Sequence, residues 1–212
     1  MSILPVILLV AGPSHGQDQA AISPILDILR KDHLSGSLQY RGRCGKQDEY
    51  VTRGFPITTT PASNSEPSLQ ILREMFAKDP DMQVTQAPDG TIRMIDKSVP
   101  QDLLSVKIEH ISFSDDPDTM GVPTIVLGFI TAAPEVKVFM KDHGIALLAP
   151  RDIIDSTSPG APHVSGELSN VTLSQALDYM AKTFHGLWLY KECSGNYENK
   201  RGVVFWFFRS GG

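Results

Sequence analysis

The chain has 212 residues, with 19 basic against 24 acidic side chains, a formal charge of −5, 41 % hydrophobic and 20 % charged residues. That balance excludes a disordered or collagen-like chain, and two cysteines exclude a dense disulfide scaffold. The mild acidity argues against nucleic acid or an anionic membrane surface as the main partner, since either needs a concentrated basic surface.

Residues 3–11 form an apolar run broken only by Pro5, followed by Pro13 and by the small residues Ser14 and Gly16 at positions −3 and −1 of a cut after Gly16. This layout predicts a secretory signal over residues 1–16 and a mature chain starting at Gln17, although the segment carries no Lys or Arg. The other reading of the run is a buried first strand. No later stretch reaches the ~20 residues of a spanning helix, so the expected address is periplasmic or extracellular. Cys44 and Cys193, far apart in the chain, then predict a disulfide between an early and a late loop. Two free thiols are the alternative.

Residues 17–60 are expected to form a helix–strand segment. Ser23-Pro24 opens a helix reaching about Asp32, with Ile25, Leu26, Ile28 and Leu29 at helical spacing. Short strands over 35–40 and 49–55 flank a turn-rich stretch, and 57–65 is a linker. A second unit is expected over 66–113. Its helix starts at Glu66-Pro67 and places Leu69, Leu72, Met75 and Phe76 on one face. Strands over 82–86 and 91–95 follow around Asp89-Gly90, a hairpin signal, and another strand covers 103–113.

A third unit is expected over 124–212. The continuous apolar run 124–130 reads as a strand buried on both faces. Pro134 opens a helix ending at Gly144, 150–162 is a loop, and 163–168 is a strand. Thr172 and Gln175 form a capping box for a helix carrying Leu173, Ala176, Leu177, Met180 and Ala181 on its core side. Strands 187–191 and 203–208 close the chain. The order helix, strand, turn, strand thus occurs twice, over 69–95 and 173–208. The expected fold class is α+β, with small mixed sheets packed by amphipathic helices in tandem αββ units.

The stretch from His163 through Val171-Thr172-Leu173-Ser174-Gln175-Ala176-Leu177 to Gly186-Leu187 resembles the short N-terminal domain of secretins and TonB-dependent receptors. There a strand leads into a Val-x-Leu-x-x-Ala-Leu helix, then Gly-Leu and a hairpin. The resemblance covers about 45 residues and, more faintly, 69–113. It implies a periplasmic, non-catalytic domain that mediates protein–protein contacts or signalling. No receptor barrel or secretin pore is expected with this unit, and its closing strand is heavier in aromatic residues than the family pattern.

Patterns with chemical content are few. His33, His110, His143, His163 and His185 lack zinc-binding spacing, and His33, His143 and His185 fall at expected helix ends, where a cationic side chain suits the dipole. Asp115, Asp116 and Asp118 lack the spacing of a calcium loop and read as a solvated turn. Tyr40, Arg41, Arg43 and Lys46 form the main basic cluster, a candidate partner-binding surface together with Trp206. Asn170-Val171-Thr172 matches a glycosylation sequon, with Thr172 read as a helix cap instead. In the last strand Val203, Phe205 and Phe207 should face one side, and Val204, Trp206 and Phe208 the other. That implies a strand covered on both faces, or else an edge offered to a partner.

The expected protein is secreted or periplasmic, non-enzymatic and protein-binding, associated with another envelope or secreted protein, with no catalytic residue, cofactor, metal or membrane span assigned. A small secreted hydrolase assembled from dispersed His and Asp residues is the alternative.

Overall fold

The computed structural model describes residues 16–42, 67–148, 162–197 and 200–209. The expected signal segment up to residue 15, the strand over 49–55, the linker over 57–65 and the loop over 150–161 lie outside the described residues, as do Arg43, Cys44 and Lys46.

The described elements run α1 (Gly16–Lys31), β1 (Gly36–Gly42), α2 (Ser68–Met75), β2 (Met82–Gln86), β3 (Ile92–Asp96), β4 (Lys107–Phe113), α3 (Pro117–Met120), α4 (Pro123–Thr131), α5 (Pro134–Asp142), β5 (Ile145–Leu147), β6 (Gly166–Thr172), α6 (Leu173–Phe184), β7 (Gly186–Tyr197) and β8 (Lys200–Arg209). Six strands form one mixed sheet in the order β2-β3-β1-β7-β8-β5, and β4 pairs with β6 in a second, two-stranded sheet. The fold is α+β, as expected.

Strand β1 organises the large sheet. It pairs in parallel with β3 on one side and β7 on the other, and each of those belongs to a helix–hairpin unit, α2-β2-β3 or α6-β7-β8. Both hairpins therefore extend one sheet. Strand β4, which precedes the third unit in sequence, pairs with β6 of that unit.

Alternation along the strands divides the apolar residues between the two faces. One cluster gathers Ile25 and Leu29 of α1, Leu72 and Met75 of α2, Leu38, Ile92, Met94, Leu187 and Leu189, with Trp206 and Phe208 packed against it. The other gathers Leu127 and Ile130 of α4, Val136 of α5, Leu177 and Met180 of α6, and Trp188, Tyr190, Val203, Phe205 and Phe207. Strand β8 is thus covered on both faces, in the phase its sequence predicts. Full burial of a large apolar side chain such as Leu38 or Leu72 stabilises by about 1.5–3 kcal/mol relative to exposure.

Two assignments are corrected. The apolar run 124–130 is helix α4, not a strand: Pro123 occupies its first turn, and Val126, Leu127 and Ile130 are buried while Ile125 and Phe129 are exposed. A continuous apolar run has no period to read, so Pro123 was the better signal. Helix α1 runs through Pro24 instead of starting there, because Gln17 to Ala21 favour helix.

Other expectations are met locally. Thr172 accepts from the Gln175 backbone N–H at 3.2 Å while the Gln175 side chain accepts from the Thr172 N–H at 2.8 Å. Gly144 ends α5 with φ 59°, a conformation that favours glycine. At the α6–β7 junction a Cβ on Gly186 would lie 2.4 Å from the Phe208 carbonyl oxygen and 2.4 Å from the Phe207 ring, so only glycine lets the hairpin close there.

Candidate functional site

Two clusters of ion-paired side chains lie on the α6 side of the large sheet. Along β7 the even-numbered residues Trp188, Tyr190 and Glu192 share that face. Val203 of β8 sits opposite Glu192, which brings Arg201 to the same face two residues earlier.

Arg201 is the hub of the first cluster. Its Nε and Nη2 donate to Glu192, the latter at 3.1 Å, and Nη1 and Nη2 donate to the two oxygens of Asp102 at 2.6 and 2.8 Å. Nη2 also reaches the Tyr190 hydroxyl at 3.3 Å, and that hydroxyl donates to Glu192 Oε2 at 2.6 Å. The bond from Arg201 is the main reason the Asp102 carboxyl is held below the usual carboxylate range. Burial, with the Glu192 carboxylate beside it, pushes the Tyr190 hydroxyl well up. The hydrogen bonds to Asp102 and Glu192 hold Arg201 firmly protonated. Every nitrogen of the guanidinium is engaged with protein. The cluster therefore acts as a clamp between the 100–106 loop and the β7–β8 hairpin.

The second cluster joins α6 to the sheet. Asp178, 2 % exposed, accepts from Arg93 Nη2 of β3 and Trp188 Nε1 of β7, each at 2.7 Å. Burial nevertheless raises its carboxyl above the ordinary value, the two hydrogen bonds only partly offsetting it. Nearby, Ser35 Oγ donates to the Ala181 carbonyl at 3.0 Å and Lys182 pairs with Asp89 at 2.8 Å. Hydrogen bonds from Lys182 and Thr91 outweigh burial at Asp89 and lower its carboxyl to about 2.

The residues singled out from sequence are dispersed. Tyr40 is 1 % exposed within the α1–α2 side of the core, so it offers no surface to a partner; its alternation with the exposed Arg41 explains the inversion. The Arg41 backbone N–H donates to Asp96 at 3.4 Å. Trp206 is half-buried against the same core cluster. His33 follows α1, His143 and His185 cap α5 and α6, and His110 lies 3.5 Å from Ser169 across the β4–β6 pair. Asp116 caps α3 by accepting from the Asp118 N–H and the Thr119 hydroxyl at 3.0 and 2.7 Å. Asp116 is thus engaged locally, remote in role from the histidines. Among the described residues no group of three or more His, Cys, Asp or Glu side chains could hold a metal ion.

Cys193 is buried near the end of β7, opposite Gly42 of β1, and no cysteine among the described residues is free. A Cβ on Gly202 would lie 2.9 Å from its sulfur, so β8 leaves room for the Cys193 side chain. Among the described residues no single helix is long and apolar enough to cross a membrane.

Sequence reasoning missed both ion-paired clusters. A readable signal existed at Asp178, a charge on the otherwise apolar face of α6 between Leu177 and Met180; a buried charge needs a partner. No family model, curated protein or solved structure matches the chain.

Proposed function

We propose that the protein is a secreted or periplasmic, non-enzymatic interaction module that docks another envelope or secreted protein. The observation that carries this reading is the layout of residues 166–209: strand β6, a capped helix α6, Gly186-Leu187 and the β7–β8 hairpin. It follows the arrangement of the short N-terminal domain of secretins and TonB-dependent receptors, which the sequence resembles and whose members mediate protein–protein contacts. The interior charges support the same reading, since Arg201, Glu192, Asp102, Arg93 and Asp178 are committed to one another.

The contact surface is placed on α4, where Ile125 and Phe129 are exposed one helical turn apart. We read these two exposed apolar side chains as the anchors of that surface. An export route with a signal over residues 1–16 and a Cys44–Cys193 disulfide belong to the same proposal. Cys44 lies two residues beyond Gly42, which is in register with Cys193, and no described cysteine is free.

The test is site-specific photo-crosslinking of the full chain in its native envelope. A cross-linker replacing Ile125 or Phe129 should capture one defined partner that a cross-linker at exposed Asp27 does not. The same capture from all three sites, or none from α4, would overturn the docking surface. Sequencing of the exported protein should begin at Gln17, and its intact mass should lie two hydrogens below the dithiol form.

A further inference from the structure

We propose that Arg73 guards the free edge of strand β2, and that the strand it excludes is β2 of a second copy of this chain. Strand β2 ends the six-stranded sheet. The Lys97 N–H donates to the Asp81 carbonyl and the Ala87 N–H to the Thr91 carbonyl, each at 2.9 Å. This pattern turns the backbone groups of the odd-numbered residues toward β3. Those of Met82, Val84 and Gln86 therefore point away from the sheet. An edge of this kind is a template for another strand unless something blunts it.

Nothing within β2 does so. Met82-Gln83-Val84-Thr85-Gln86 holds no charged residue and no proline, and it pairs with β3 in unbroken register. The protection comes from the helix before it. Arg73, in the last turn of α2, donates from Nε to the outward Val84 carbonyl at 3.3 Å. The other free edges are blunted by other means. Strand β5 has three residues, Glu135 of α5 accepts from the Glu109 N–H of β4 at 3.0 Å, and β6 is interrupted at Asn170, whose φ is 53°. Two β2 strands related by a twofold axis at Val84 would pair antiparallel, Val84 opposite Val84 and Met82 opposite Gln86. The carbonyl that Arg73 occupies is then an acceptor in the central pair of bonds. Gln83 falls opposite Thr85, so no like charges meet across the seam. A second copy thus fits this edge once Arg73 is removed.

This inference stands apart from the docking surface proposed on α4. Its test is Arg73→Met in the full chain, with Arg73→Ala beside it; both remove the donor from an exposed position of α2. Sedimentation equilibrium should show self-association about tenfold tighter than in the unmodified protein, as two regained hydrogen bonds at the centre of the seam imply. Amide exchange at Val84 and Gln86 should slow as the concentration of either variant is raised. Adding Gln86→Pro removes an outward N–H and no bond to β3, and should return association to the unmodified level. Folded Arg73 variants that associate no more tightly than the unmodified protein would overturn the proposal. So would association that leaves exchange at Val84 unchanged or survives Gln86→Pro.

Discussion

Arg201 and Arg93 each bind a carboxylate on the same face of the same sheet, yet the two pairs respond oppositely. Asp102, 40 % exposed along its side chain, takes two hydrogen bonds from Arg201 and one from its neighbour's backbone N–H, and its carboxyl is held down. Asp178 takes one from Arg93 and one from the Trp188 indole, and its carboxyl is raised. The partner is the same in kind; the difference is burial. Removing a charge from water costs more than one good ion pair returns unless further donors make up the remainder. The first cluster is built around ionised groups, whereas the second tolerates a charge that its surroundings disfavour.

The comparison can be broken most directly at the arginines. Replacing Arg201 by Met strands Glu192, buried beside Tyr190, without its cationic partner. We expect a loss of about 3–5 kcal/mol, the usual cost of breaking a buried pair from one side, read as a lowered midpoint in urea denaturation. Arg93→Met should cost less, about 1–3 kcal/mol. Asp178 is already biased toward protonation, and Trp188 Nε1 still bonds to it. Equal losses would show that the two carboxylates are held alike.

A smaller effect separates the clusters mechanically. Thr172→Ala removes the side-chain half of the cap of α6 and should cost about 1 kcal/mol. Because Asp178 rides on α6 and Glu192 does not, hydrogen exchange at the Trp188 indole should accelerate. Exchange at the β7–β8 ladder around Glu192 should hardly change. Equal acceleration at both places would mean that α6 and the hairpin open together.

How far the molecule was legible in its sequence depends on the range of the interactions involved. The cap at Thr172 and Gln175 and the Asp89-Gly90 hairpin were readable because all their determinants lie within a few residues. Helix α4 was misread because Ile125 to Ile130 are apolar throughout, and only tertiary burial distinguishes Val126 from Ile125. The clusters were out of reach for another reason. Asp102 and Arg201 are 99 residues apart, and Arg93 and Asp178 are 85 apart. Nothing local says which distant charge will meet which. Tyr40 shows the same limit at short range, since a tyrosine beside arginines reads as surface until β1 is placed at the centre of the sheet.

The finest test of the comparison is pH. Asp102 has a folded-state pKa below its ordinary value, so the stability it contributes is complete above the unfolded carboxylate range and is lost as pH falls through the folded value. Asp178 has a folded-state pKa above its ordinary value. Its contribution is complete below the unfolded range and declines as pH rises through the folded one. The Asp102 change falls below, and the Asp178 change above, the region of about 3.9 where a free Asp titrates, so the unmodified protein passes through them one after the other. Single replacements by Asn remove one contribution at a time. As pH is raised through that region, Asp102→Asn should lose ground relative to the unmodified protein, while Asp178→Asn should gain it. Denaturation midpoints measured for both variants from pH 3 to pH 6 would carry opposite slopes. Parallel slopes would mean that burial does not distinguish the two sites after all, and that the hydrogen bond from arginine governs each of them.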